Sequence, residues 1–232
     1  MNTELTFRQG LRDTLPTVFG YLGIGLAFGI VAHSAGMSLL VVFLLSCIVY
    51  AGSAQFIAVS MLAVASPILS VILSVFLVNS RMILMAMTAA PSFREENLAK
   101  NIWVGTLLTD ESFALGITKR QATAGKLSFA WFNASNIIAY LAWNVASIAG
   151  ALLASLIPNP TELGVAFAMT AMFIGLLYLH IRADASMSKK FQLLLVALTL
   201  AIFYIGMIFV PASVLVLVVT LVVYGLGVLL HA

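Results

Sequence analysis

Arg81 sits where an arginine is expensive. It follows the apolar run Val75-Phe76-Leu77-Val78 and the pair Asn79-Ser80, precedes Met82-Ile83-Leu84, and is the only one of eleven Lys and Arg residues inside a predicted membrane span. Holding an arginine at that depth costs about 2.5 to 3.5 kcal/mol, so such a side chain normally faces a partner or a wet cavity. Its planar fork of donors suits two-point contact with a carboxylate, that of a substrate included. A structural ion pair, or a side chain snorkelling to a headgroup, is the plainer reading. Asp110 and Glu111 stand together in a second apolar stretch. As helical neighbours they point about 100° apart and cannot both face one partner. One is expected to pair with Arg81 and the other to titrate, because a carboxyl in a dry site is driven toward its neutral form and can carry a proton. The alternative is an interfacial loop in which both are simply solvated.

Gly52, Ser53 and Gln55 interrupt the segment that begins Val41-Val42-Phe43-Leu44-Leu45 and turns apolar again after Gln55. If the helix unwinds there, freed backbone amides and carbonyls line a cavity and can hold the carboxylate and ammonium of a zwitterion. Close helix packing by small residues accounts equally for the Gly and Ala, and less well for the long polar Gln55.

The elements that must position these groups are membrane helices. Of 232 residues, 62% are hydrophobic and 8% charged, with a mean hydropathy of +1.13, which excludes a water-soluble enzyme and leaves no room for a separate soluble domain. The predicted architecture is an all-α polytopic bundle, residues 1–232 forming one transmembrane domain of roughly six to eight spans. Residues 1–14 read as a short amphipathic helix on the bilayer surface, with Phe7, Leu11 and Leu15 on one face and Arg8 and Arg12 beside it. Pro16 then opens the first span. Crossings are expected at 15–34, 38–62, 67–90, 102–118, 128–156, 162–181, 190–209 and 211–231. The segments 38–62 and 102–118 are the candidates for broken or re-entrant helices. No cleavage site follows the first apolar stretch, so the first helix is expected to stay.

Charge placement constrains these alternatives. The basic residues fall in the N-terminal tail and in the connections with Arg94 and Lys100, with Lys119, Arg120 and Lys126, and with Arg182, Lys189 and Lys190. If both unusual segments dip and return, six crossings remain and all of these face the cytoplasm. If both cross, only Arg94 and Lys100 lie outside. If only one dips, the two most basic loops land outside. The two segments therefore share one behaviour, and both termini are cytoplasmic either way. The net charge of +3 then reflects membrane orientation, not a nucleic-acid partner.

Other polar residues carry less information. Gly25 and Gly29 have the spacing of a close helix contact, and Asn133, Asn136 and Asn144 fit either interhelical hydrogen bonds or a polar path. The single Cys47 cannot form an intramolecular disulfide, and His33, His180 and His231 lie near span ends or the tail with no metal spacing. H-E-x-x-H, G-x-S-x-G and Walker-type motifs are absent, so no hydrolase, ATP-driven pump or cofactor is indicated.

The stretch Ser46-Cys47-Ile48-Val49-Tyr50-Ala51-Gly52-Ser53-Ala54-Gln55-Phe56 resembles the signature of the AzlC (YgaZ-like) family. Asn79-Ser80-Arg81, Leu108-Thr109-Asp110-Glu111-Ser112-Phe113-Ala114, and the earlier Leu15-Pro16 and Ala27-Phe28-Gly29 match in the same order. The resemblance implies an exporter of valine, leucine, isoleucine and methionine in the bacterial inner membrane, working with a small, separately encoded AzlD-type membrane subunit. Family members often place His after the Arg; Met82 stands here, which removes a histidine pH sensor at that position. The motif positions carry over as Gly52, Ser53, Gln55, Asn79 and Arg81, expected to bind substrate, and Asp110 and Glu111, expected to couple protons or form an ion pair. A channel and a non-transporting scaffold subunit are the rival functions.

Overall fold

A computed structural model describes residues 5–156 and 188–210, with isolated positions between 174 and 182 and between 215 and 227. Every regular element among the described residues is helical. The predicted spans 162–181 and 211–231 lie outside the continuously described residues. The first described helix is α1, Phe7–Asp13, capped by the Thr6 hydroxyl. It leads into α2, Leu15–Ser34, whose start matches the proline expected at its first turn.

The scaffold is the pairing of α1 and α2 with α9, Phe129–Leu153. Gly10 abuts the Trp131 carbonyl, Thr14 donates to Ser135 at 2.7 Å, Gly25 meets Ala146, and Gly29 lies against Ser147 and Gly150. Gly10–Trp131, Thr14–Ser135, Gly25–Ala146 and Gly29–Gly150 share one offset of 121 residues, so α2 and α9 run parallel and begin at the same end of the bundle. The small residues permit this approach: a Cβ on Gly29 would sit 2.0 Å from the Ser147 carbonyl oxygen, and one on Gly150 2.2 Å from that of Leu26. Gly25 and Gly29 are thus packing residues.

Both interrupted segments double back. The first descends as α3, Leu39–Leu44, passes into a π turn, Leu45–Val49, and breaks at Tyr50–Ala51; α4 then runs Gly52–Ala63. Val42 packs near Ala32 and Ala151, at the end where α2 and α9 finish. The break lies deeper, at the level of Tyr140 and Trp143, and α4 climbs back so that Phe56 meets Phe28. The second segment is α7, Leu98–Thr106, and α8, Asp110–Ala122. Lys100 lies over the Phe129 ring and Lys119 over the Trp131 ring, so this hairpin enters and leaves where α9 begins. The two hairpins therefore reach the centre from opposite ends.

Between them α5, Ile68–Asn79, and α6, Arg81–Ala89, form one kinked crossing that ends with Phe93 against Phe132. The kink at Ser80 was not expected from the sequence: the run has no Gly or Pro, and the Ser80 amide bonds Leu77 instead of continuing the regular ladder. The last described helix is α10, Lys189–Gly206. Among the described residues four helices are long and apolar enough to span a bilayer: Leu15–Ser34, Ile68–Phe93, Phe129–Leu153 and Lys189–Gly206.

Asp13 ties α1 to its neighbours: it accepts from Gln9 at 2.7 Å and Trp131 at 2.9 Å and pairs with Lys119 at 2.9 Å. Burial pushes the Asp13 carboxyl up, but hydrogen bonds from Lys119, Trp131 and Gln9 outweigh it and hold the group below its ordinary value. A carboxyl with a lowered native value contributes stability above its unfolded pKa and loses it as pH falls through the native one. Thermal unfolding in detergent should therefore show a stability advantage of wild type over Asp13→Asn at pH 7 that shrinks as pH drops below about 4. Gly150→Ala should lower stability by about 1 to 3 kcal/mol through backbone overlap, whereas Gly20→Ala, with open space around it, should not.

Candidate functional site

The two breaks meet in a narrow cleft lined by Tyr21, Tyr50, Ala51, Gly52, Ser53, Met82, Thr109, Asp110, Glu111 and Trp143. Its walls come from α2 and α9, which contribute Tyr21 and Trp143 with rings 5.4 Å apart edge to face. Its upper and lower lips are the first turns of α4 and α8.

Each first turn begins where it does for a local reason. α8 starts with a reciprocal capping box: the Thr109 hydroxyl accepts from the Ser112 amide, and the Ser112 hydroxyl accepts from the Thr109 amide at 2.9 Å. Asp110 and Glu111 occupy the positive end of that helix, where carboxylates are favoured. α4 has no side-chain cap: Ala51 is extended and precedes Gly52. Its first-turn amides lie at the cleft, the arrangement by which helix N-termini hold anions.

The charges divide as adjacent helical positions require. Asp110 pairs with Arg81 at 2.7 Å, and the same guanidinium nitrogen donates to the Ser53 hydroxyl at 2.9 Å. Glu111 instead accepts from the Tyr21 hydroxyl at 2.5 Å, and that hydroxyl also lies 2.7 Å from Thr109. The cleft thus has a pole at Arg81, Ser53 and the start of α4, and an acidic pole at Glu111.

Of the seven residues expected at a site, Gly52, Ser53, Asp110 and Glu111 line the cleft and Arg81 is bonded to two of them. Gln55 does not line it. Its fully buried amide donates to Ser46 at 3.3 Å and accepts from the Ala51 amide at 3.2 Å and Trp143 at 3.1 Å, which fastens the broken tip to α9. Asn79 precedes the kink with its side-chain oxygen buried and makes no hydrogen bond through it among the described residues. The three asparagines of α9 separate: Asn133 accepts from Trp103, Asn144 accepts from the Cys47 thiol, and Asn136 has neither amide atom bonded among the described residues. The sequence assigned no site role to Tyr21, Tyr50, Thr109 or Trp143: Tyr50 and Thr109 stood only within the family motifs, and aromatic residues in apolar helices read as core.

Comparison with known proteins bears out the family resemblance. Residues 16–157 match the family model described as AzlC protein, more than half of the chain. The chain is 29% identical over 169 residues to the branched-chain amino acid transport protein AzlC of Bacillus subtilis, covering 72% of this chain and 65% of that one, less than two thirds of its length. It is 30% identical over 181 residues to the inner membrane protein YgaZ of Escherichia coli, covering 74% and 72%. An uncharacterized membrane protein of Helicobacter pylori is 28% identical over 170 residues, covering 73% of each chain. No solved structure matches. The chain is a membrane protein and belongs to the AzlC family.

Proposed function

We propose that this protein is a secondary transporter that exports branched-chain amino acids, with methionine as a further substrate, in exchange for protons. The observation that carries the reading is the pair of opposite poles in one cleft at the meeting point of two broken helices, the place where transporters bind zwitterions. The amino acid's carboxylate competes with Asp110 for Arg81 and the α4 amides. Its ammonium turns to Glu111, and its aliphatic side chain lies against apolar wall. Asp110 is held by Arg81, so Glu111 is the group that takes up and releases the coupled proton.

In this reading the two hairpins dip from opposite membrane faces, six spans cross, and both termini are cytoplasmic in a bacterial inner membrane. The basic residues Arg8, Arg12, Lys119, Arg120 and Lys126 cluster at the end where α2 and α9 begin, in keeping with that orientation. The reading includes a small AzlD-type subunit, for which the flank of Ile68–Phe93, 6% buried, leaves a free face. Apolar pockets separate neighbouring aliphatic side chains by only about 1 to 3 kcal/mol per methylene, so selectivity within the branched-chain set should be loose.

Efflux of preloaded radiolabelled leucine from cells expressing the chain with its small subunit should fall at least about tenfold in Arg81→Ala, at matched expression and assembly. In liposomes, Glu111→Gln should weaken leucine exchange and abolish its stimulation by a pH gradient. Wild-type efflux indifferent to the pH gradient would rule out proton coupling.

A further inference from the structure

Tyr50 stands at the tip of the first hairpin, between the π turn Leu45–Val49 and the start of α4. Its backbone is left-handed, with φ 40° and ψ 47°. A bulky L-residue adopts that conformation only where its surroundings enforce it, and such residues cluster at ligand sites. The π turn that precedes it is a second irregularity of the same kind.

The ring is as constrained as the backbone. It is 7% exposed and stands edge-on to Tyr140, with centroids 4.8 Å apart and planes at 75°. The Tyr140 hydroxyl donates to the Cys47 carbonyl at 3.0 Å. Asn144 closes the set, donating to the Tyr140 carbonyl at 2.9 Å and accepting from the Cys47 thiol at 2.8 Å. The π turn and α9 therefore fix where the Tyr50 ring points, and it points into the cleft, beside Tyr21 and Glu111.

The hydroxyl delivered there has the Tyr21 hydroxyl as its neighbour, and its oxygen receives no hydrogen bond among the described residues. A buried hydroxyl without a partner is costly and rare. Tyr140, Cys47 and Asn144, which hold the ring, are all bonded, and the Tyr50 oxygen is left as an acceptor for a donor that comes with the ligand. That partner has a chemistry. Glu111 faces the same corner, and a primary ammonium brings three donors, more than one carboxylate readily satisfies. Tyr21 offers its only hydrogen to Glu111 or Thr109 already.

We propose that the Tyr50 hydroxyl oxygen accepts a hydrogen bond from the substrate's ammonium group, making Tyr50 a substrate-binding residue that selects amino acids over their des-amino analogues. The assignment rests on the two-poled reading of the cleft.

The test is Tyr50→Phe, which removes the oxygen and keeps the ring packed on Tyr140. Binding of radiolabelled leucine to the purified complex, and its competition by 4-methylpentanoate, which is leucine without its amine, are measured for wild type and variant. Leucine affinity should fall about tenfold, the scale of one hydrogen bond to a charged group, while the affinity for 4-methylpentanoate stays unchanged. Unchanged leucine affinity in Tyr50→Phe would overturn the assignment and leave the cleft as the amino acid site. An equal loss for leucine and 4-methylpentanoate would also overturn it, since the hydroxyl would then serve the carboxylate or the fold. Wild-type protein that binds no leucine would overturn the substrate reading itself, and the assignment with it.

Discussion

Hydrocarbon offers no hydrogen bonds, so a backbone that leaves its helix at membrane depth must find enclosure inside the protein. Two segments of this chain do so, at Tyr50–Ala51 and at Leu107–Thr109. What encloses them is the parallel pair α2 and α9, brought together at Gly25, Gly29 and Gly150 where a side chain would strike backbone atoms. The same pair carries Tyr21 and Trp143, which form the wall against which both broken tips rest. The tips are fastened to it by hydrogen bonds: Gln55 to Trp143 for the first, Thr109 and Glu111 to Tyr21 for the second.

Charge follows from that geometry. An arginine at this depth is tolerable because it looks into the cleft, where Asp110 and Ser53 meet it. The positive ends of α4 and α8 face the same space, so the cleft is prepared for anionic groups before any ligand arrives. Asp110 supplies one from within the chain, and in the proposed function a substrate carboxylate supplies another. Glu111, turned a third of a helical circle from Asp110, gives the cleft its opposite pole. A zwitterion spanning both poles pairs its charges in a site that a simple anion or a simple amine satisfies by half.

Much of this was legible in the sequence. Gly52, Ser53 and Asp110 announced the two interruptions because polar and small residues stood inside apolar runs, and the adjacency of Asp110 and Glu111 required them to serve different partners. Hydropathy could not say whether the segments cross or dip, since both need the same apolar length. Charge placement tied the two together, and in the folded chain both segments double back, as the contacts of Lys100 and Lys119 with α9 and of Phe56 with Phe28 show. The kink at Ser80 was hidden because no Gly or Pro marks it. Gln55 read as a site residue because a long amide at depth demands partners, and it found them in Ser46, Ala51 and Trp143. Tyr21, Tyr50 and Trp143 were invisible because their importance comes from which helices adjoin, not from local pattern.

The central claim is a cleft that reads both charges of an amino acid. Calorimetric titration of the purified complex with leucine, with 4-methylpentanoate and with isoamylamine tests it most directly. Each analogue, lacking one pole's partner, should bind at least about tenfold more weakly than leucine, as expected for the loss of one charged hydrogen-bonded contact. An analogue that binds as tightly as leucine would contradict the two-poled cleft.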